Sequence, residues 1–313
     1  PASKILDAPF VQCDYTRVKD QCYKPTNYTS GRFYGMSTLR LGLEKSRNAM
    51  TVRLANDIGM EQVKAFSERI GLYENLDPYL SMSLGAGEVT VWDMAKSYAL
   101  LVNGGKKVEP TLFDRVQDRS GKTIYKHDER ACDDCDAEYE GQLPPMLSDE
   151  REQVIDPIIA FQTAYMLQGV VERGTAAGIR KGCPPGQSPQ TEENKDLKEI
   201  CKHIVGGKTG TTNDYNDAWF MGFSPDLVVG IYVGFDEPKT LGRAESGGRV
   251  AAPIFGDFME TALKGYPALP LRVPSGVRFV NIDAVTGELP GPGTSVILRE
   301  AFRKGTEPGI DNQ

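Results

Sequence analysis

The chain has 313 residues, with 43 acidic against 36 basic side chains and a net charge of −7. Its 40% hydrophobic content, together with 33 glycines, is that of an ordinary globular chain, which excludes general disorder. The acidic balance argues against a general nucleic-acid binder, and the longest strongly apolar run, 227–235, is too short to span a bilayer.

Residues 1–35 are rich in Pro, Tyr and Asn and read as an extended, loop-like opening. From Ser37 the pattern turns helical, with Leu39, Leu41, Leu43, Met50, Val52 and Leu54 in a segment free of proline. Gly59 and Gly71 punctuate a helix over 61–70 that has Val63, Phe66 and Ile70 on one face. Thr90 caps a helix over 91–102, ended by Asn103-Gly104-Gly105. Runs 112–119 and 122–126 read as a hairpin about Ser120-Gly121, and 127–150 as an acidic surface loop. Asp156-Pro157 opens a helix that runs to Val171, with Ile159, Gln162, Met166 and Val170 about a turn apart and Arg173-Gly174 marking its end. A polar insertion over 181–202 is bracketed by Cys183 and Cys201. Strand-like runs come next at 203–208, 217–223 and 227–235, the last two joined by the turn Ser224-Pro225-Asp226. A helix over 253–263 comes after Gly247-Gly248, and the tail reads as a hairpin from 277–282 through Thr286-Gly287. Helices, then an antiparallel meander, then a helix, indicate the α+β class: an antiparallel sheet flanked by helices.

The six cysteines fall into local groups: Cys13 and Cys22, Cys132 and Cys135, Cys183 and Cys201. An even count in local pairs favours disulfides and an oxidising compartment. Zinc would want two close-spaced ligand pairs, and only Cys132 and Cys135 are close; His127 and His203 are the only histidines, so no metal is expected. A redox motif is disfavoured by Asp133-Asp134 between those cysteines, since acids raise a thiol pKa. Asn27-Tyr28-Thr29 fits a glycosylation sequon, a tripeptide too common to carry weight.

The sharpest local feature is Gly206-Gly207-Lys208-Thr209-Gly210-Thr211-Thr212. It fails as a phosphate-binding P-loop: His203 stands where the first glycine belongs, and the residues after the lysine read as strand, not helix. The other reading is an edge strand ending in Lys-Thr-Gly, a carboxylate site. Strand alternation puts Lys208 and Gly210 on one side and Thr209 and Thr211 on the other, with the bare Gly210 letting a ligand near the backbone. The plainer alternative is a solvated lysine before a glycine turn. A second feature, Glu44-Lys45-Ser46-Arg47-Asn48, breaks the helical run. Ser46 and Asn48 there present a hydroxyl and a carboxamide, or one of them simply caps the next helix.

Together the two features resemble a penicillin-binding protein, in which Ser-x-x-Lys, Ser-x-Asn and Lys-Thr/Ser-Gly build one site. Ser46-Arg47-Asn48 is similar to the second motif and Lys208-Thr209-Gly210 to the third. The segments 38–54, 84–105, 170–175, 205–234 (with Ala218-Trp219-Phe220-Met221-Gly222-Phe223) and 251–255 resemble the class A, bifunctional members. The resemblance implies the transpeptidase fold shared with serine β-lactamases. A transpeptidase domain would cover 1–266, with polar insertions about 127–155 and 181–202, and a hairpin-like tail 267–313. It implies peptidoglycan stem peptides as substrates, β-lactams as inhibitors, and no cofactor. Ser46 would relay a proton to the leaving amine and Asn48 would bind the substrate amide. Lys208 would hold Ser46, Thr209 and Thr211 would meet the terminal carboxylate, and the Thr211 N–H would serve the oxyanion.

One motif departs from the family. No serine in the chain is followed three residues later by lysine, and residues 1–9 resemble the segment just after the nucleophile-bearing helix. The expectation is a fold incomplete at its N-terminus, inactive alone and blind to β-lactams without the missing segment. Apolar faces near Met50 and Trp219 should lose cover and expose a patch, with a rearranged fold, aggregation, or a separate co-purifying fragment filling the groove. The resemblance further implies a parent anchored in the bacterial inner membrane, with an N-terminal glycosyltransferase domain and its transpeptidase in the periplasm. The alternatives are a hydrolytic relative (carboxypeptidase or β-lactamase) and a non-catalytic muropeptide-binding module. A scaffold without a pocket would leave Ser46 and Lys208 apart.

Overall fold

A computed structural model describes residues 1–13, 22–29, 31–130, 135, 138, 140–141, 147, 149–184 and 196–309. The opening segment is more ordered than a loop. It forms β1 (Lys4–Asp7), the short ladder of β2 (Gln12–Cys13) and β3 (Cys22–Tyr23), and β4 (Gly35–Thr38), which returns antiparallel to β1. The cause is a buried carboxylate. Asp7 accepts from Asn27 Nδ2 at 2.9 and 3.1 Å and from the Tyr34 N–H at 3.2 Å, tying three stretches of chain together. Asn27 is only 6% exposed and its amide is committed, so the tripeptide it begins is not an open glycosylation site.

The helices match the sequence pattern closely. Thr38 Oγ1 accepts from the Leu41 N–H and starts α1 (Leu39–Glu44); α2 (Asn48–Ile58) and α3 (Met60–Arg69) meet at Gly59, whose φ of +91° suits glycine. In α3, however, Phe66 is exposed and stacks under Arg69. Thr90 caps α4 (Val91–Val102), accepting from the Asp93 N–H at 3.1 Å. The hairpin β5 (Arg115–Gln117) and β6 (Thr123–Lys126) stands in solvent. Asp156 caps α5 (Pro157–Glu172), accepting from the Ile158 N–H at 2.9 Å. This helix is central: apart from the outward Ile159, nearly all sides of it are covered.

After α6 (Glu199–Lys202) come β7 (Gly206–Thr211), β8 (Ala218–Phe223) and β9 (Val228–Val233), an antiparallel sheet with β7 on the edge. The first strand starts later than the pattern suggests and runs on through Thr211. His203 is drawn back instead to close α6, its N–H bonded to Glu199 O at 3.3 Å and its buried ring lying between Glu199 O and Tyr266 O. Then come α7 (Ala251–Ala262) and the hairpin β10 (Val277–Asp283) and β11 (Ile297–Arg303). Phe161, Leu167 and Val170 of α5, Phe220 and Phe223 of β8, and Phe255 and Met259 of α7 form the main core. The architecture is α+β, as the order of elements predicts.

Two expectations need correction. Met50 is not open: it is 2% exposed, because Gly42 leaves room for it, a side chain there standing 2.7 Å from Met50 Cε. Trp219 is half-buried, its ring packed on Tyr232 at 4.8 Å. Cys13 bonds to Cys22 across β2 and β3, and Cys183 to Cys201. Cys135 is also disulfide-bonded, while Cys132 lies outside the described residues, as do 185–195 of the second insertion.

Candidate active site

The site is built where α1 ends. Ser46 takes φ +51°, a left-handed conformation that costs a non-glycine residue about 1 kcal/mol or more and persists only where its surroundings enforce it. Several contacts do so. The Arg47 N–H donates to Gly42 O at 2.9 Å. The Arg47 guanidinium is buried over the Tyr34 ring, donates to Ser37 Oγ and lies 3.8 Å from Asp7. On the other side, the Thr175 N–H donates to Glu44 O at 3.2 Å, and Lys45 Nζ donates to Arg173 O. Gly174 is required there, since a side chain would stand 2.4 Å from Glu44 O.

Edge strand β7 faces this turn. Lys208 Nζ donates to Ser46 Oγ at 2.7 Å and to Thr209 O at 3.0 Å. The pocketless scaffold is therefore excluded. The Thr212 N–H donates to Asp217 O, so ladder alternation turns the backbone groups of Thr209 and Thr211 away from β8. The open edge thus presents the Thr209 carbonyl, which Lys208 takes, and the Thr211 N–H. Withdrawal from water lowers the Lys208 pKa to about 8.

A cleft of about 790 Å³ lies in front of this edge. Ser46, Asn48, Thr209 and Thr211 line it, whereas Lys208 stands behind Ser46 and Gly210 is not on the wall. At Gly210 a side chain would meet Trp219 Cβ at 3.0 Å, so packing against β8 also calls for the bare position. The Asn48 Nδ2 is held by Thr26 O at 2.8 Å, leaving its carbonyl for a ligand. The Thr211 hydroxyl accepts from the Gly247 N–H at 3.0 Å, which leaves its proton to donate. Neither Ser46 nor Asn48 caps α2: Arg47 holds the cap position without a side-chain bond, and the Ala49 N–H goes to Asn27 Oδ1 at 3.2 Å.

The walls also hold residues that sequence reasoning missed. Thr175 Oγ1 lies 2.7 Å from Thr209 Oγ1. The Tyr215 hydroxyl donates to Tyr28 at 3.3 Å across the mouth, and Arg249 lines the same wall as Gly248. These come from loops with no periodic signal. Among the described residues no cluster of His, Cys, Asp or Glu is placed to hold a metal.

A family model described as the penicillin-binding protein transpeptidase domain matches residues 10–260. The chain belongs to that family. A second model, the C-terminal domain of penicillin-binding protein 1A, matches residues 273–309. The chain is 38% identical over 294 residues to penicillin-binding protein 1A of Rickettsia conorii, covering 93% of this chain and 34% of that protein. Against penicillin-binding protein 1A of Pseudomonas aeruginosa it is 32% identical, covering 100% of this chain and 39% of the other. It therefore spans well under half the length of these relatives. The crystal structure of penicillin-binding protein 1A from Haemophilus influenzae matches with a TM-score of 0.78 at 29% identity, over 98% of this chain and 45% of that one. Penicillin-binding protein PonA1 from Mycobacterium tuberculosis shares the fold, with a TM-score of 0.62 at 19% identity over 87% of this chain and 66% of that chain.

Proposed function

We propose that this chain is the substrate-holding part of a peptidoglycan DD-transpeptidase within a class A cell-wall synthase. The observation that carries the reading is the 2.7 Å bond from a desolvated Lys208 to Ser46, on the edge of a cleft whose wall offers the Thr209 and Thr211 hydroxyls. In the reaction a serine oxygen attacks the carbonyl carbon of the penultimate D-Ala, and the C–N bond to the terminal D-Ala breaks. Because Lys208 donates to Ser46 Oγ, the Ser46 hydroxyl proton is free to pass to the departing nitrogen, and Ser46 takes up in its place the proton that the attacking serine gives up. An acceptor amine from a second stem peptide then displaces the serine from the ester. The outward Thr211 N–H supplies one oxyanion donor, and the Thr209 and Thr211 hydroxyls take the terminal carboxylate. The Asn48 carbonyl accepts from the substrate amide.

The nucleophile comes from outside these 313 residues, since no Ser-x-x-Lys is among them. The bonded cysteine pairs fit an extracytoplasmic site of action. Among the described residues no helix is long and apolar enough to cross a membrane.

Fluorescent penicillin tests the proposal. The longer protein that includes a Ser-x-x-Lys segment should give a covalent band, and the present chain none. A covalent band on the present chain would overturn the assignment of the nucleophile. Analysis of products from stem-peptide dimers would separate cross-linking from the hydrolysis expected of a carboxypeptidase or β-lactamase.

A further inference from the structure

We infer that Thr175 is a positioning residue of this site, fixing the orientation of the carboxylate-binding Thr209 hydroxyl and the spacing between the Ser46 turn and β7. The inference rests on the transpeptidase reading above.

Thr175 lies just past α5 and Arg173-Gly174, where the helix has ended and its chain turns into the cleft. It touches both halves of the site. Its backbone N–H donates to Glu44 O at 3.2 Å, two residues before Ser46, and its hydroxyl lies 2.7 Å from that of Thr209, one residue after Lys208. The neighbouring Arg173 reinforces the first contact through its guanidinium on the Glu44 carboxylate at 2.5 Å and its carbonyl on Lys45. Gly248 closes over the pair: a side chain there would stand 2.6 Å from Thr175 O and 3.7 Å from Thr209 Cγ2. The bare position lets the Gly248 backbone approach Thr175 closely.

The hydroxyl arithmetic gives Thr175 its role. Two hydroxyls at 2.7 Å share one proton between them, which leaves one proton to point elsewhere. With Thr175 donating, Thr209 Oγ1 has one of its acceptor sites filled and its own proton turned to the cleft. An anionic carboxylate accepts and never donates, so it selects this arrangement. Without the Thr175 hydroxyl, Thr209 can rotate, and its proton has to be oriented when the ligand binds. Thr175 also differs from Thr211, whose hydroxyl is oriented by a backbone N–H, from Gly247.

The test uses the longer protein that carries the Ser-x-x-Lys segment, with benzylpenicillin and its methyl ester as probes. Thr175→Val removes the hydroxyl at nearly constant volume, and Thr175→Ser restores it. For benzylpenicillin, Thr175→Val should weaken pre-acylation binding about five- to tenfold, with the acylation step itself changing less. The ester should show no such loss, and Thr175→Ser should recover wild-type behaviour. An equal loss for acid and ester, an unchanged Thr175→Val, or a Thr175→Ser as poor as Thr175→Val would each overturn the inference. A wild-type protein that is not acylated at all would instead overturn the transpeptidase reading, and a normal melting temperature for Thr175→Val separates orientation of the hydroxyl from a folding defect.

Discussion

Two cations flank the turn that carries Ser46, and the fold treats them in opposite ways. Behind α1, Arg40 is 3% exposed and reaches Glu44 at 3.0 Å and Glu300 of β11 through two nitrogens, one of them at 2.7 Å. Desolvation works against its charge, but the hydrogen bonds and field of Glu300 and Glu44 outweigh it and hold its pKa above the ordinary arginine value. In front of α1, Lys208 meets only a hydroxyl and a carbonyl, and no carboxylate pairs with it among the described residues. Desolvation goes uncompensated there and the pKa falls to about 8. A balanced cluster has nothing left to offer a ligand, whereas an uncompensated cation at a cleft favours an arriving anion. The first therefore holds the C-terminal hairpin to α1 and, through Glu44 and Arg173, steadies the turn from behind; the second acts on the cleft through the Ser46 hydroxyl it holds.

The largest expected effect comes from breaking the balanced side. Glu300→Ala leaves Arg40 buried with Glu44 as its one remaining carboxylate partner and should cost about 3–5 kcal/mol in urea unfolding. Replacing Arg40 and Glu300 together by apolar residues of similar volume should recover most of that loss, because the remaining buried carboxylate, Glu44, keeps Arg173 as its partner. A single variant within about 1 kcal/mol of wild type would show that Arg40 is not dependent on its partner.

Breaking the uncompensated side should act on rate. In the longer protein, Lys208→Ala removes the donor to Ser46 and the positive potential behind it, and penicillin acylation should fall about 10²–10³-fold. Folding stability should not fall in parallel, since the group removed is one whose burial opposes folding. Loss of acylation accompanied by a matching drop in the unfolding midpoint would place Lys208 on the structural side of the comparison.

The two clusters were not equally legible in the sequence. Ser46, Asn48 and Lys208 stand in short motifs, and the helix caps Thr90 and Asp156 announce themselves by residue type next to an apolar run. The α+β order emerged from the same local signals. What escaped was long-range polar pairing. Arg40 and Glu300 are 260 residues apart, and Asp7 joins Asn27, the Tyr34 N–H and Arg47 without any period to mark it. Such contacts turned the supposed opening loop into β1–β4. Strand limits also depended on tertiary partners: His203, drawn back to Glu199 O and Tyr266 O, decides where β7 begins. Gly210 illustrates the limit from the other direction, since its composition was visible but its neighbour Trp219 was not. Thr175, three residues beyond a helix end, carries no sequence sign of the Thr209 hydroxyl it meets.

The smallest effect is the most direct measure of the difference between the two cations, because it reads the Lys208 charge without any substrate. The folded pKa of about 8 lies below the ordinary lysine value of 10.5. Between these two values the unfolded chain binds more protons at this position than the folded one, so stability contributed by Lys208 rises with pH across that window. Below a pH of about 8 the group is charged in both states and its desolvation opposes folding in full. Lys208→Met should therefore be more stable than wild type in that range, by roughly 2–3 kcal/mol at most, with the two Lys208 hydrogen bonds reducing the gap. The gap should close as pH rises from about 8 toward 10.5 and then level off. Urea unfolding of the two proteins along a common pH series provides the measurement. Curves that stay parallel through the window would mean that Lys208 keeps an ordinary pKa, so that the cation behind Ser46 is as well compensated as Arg40.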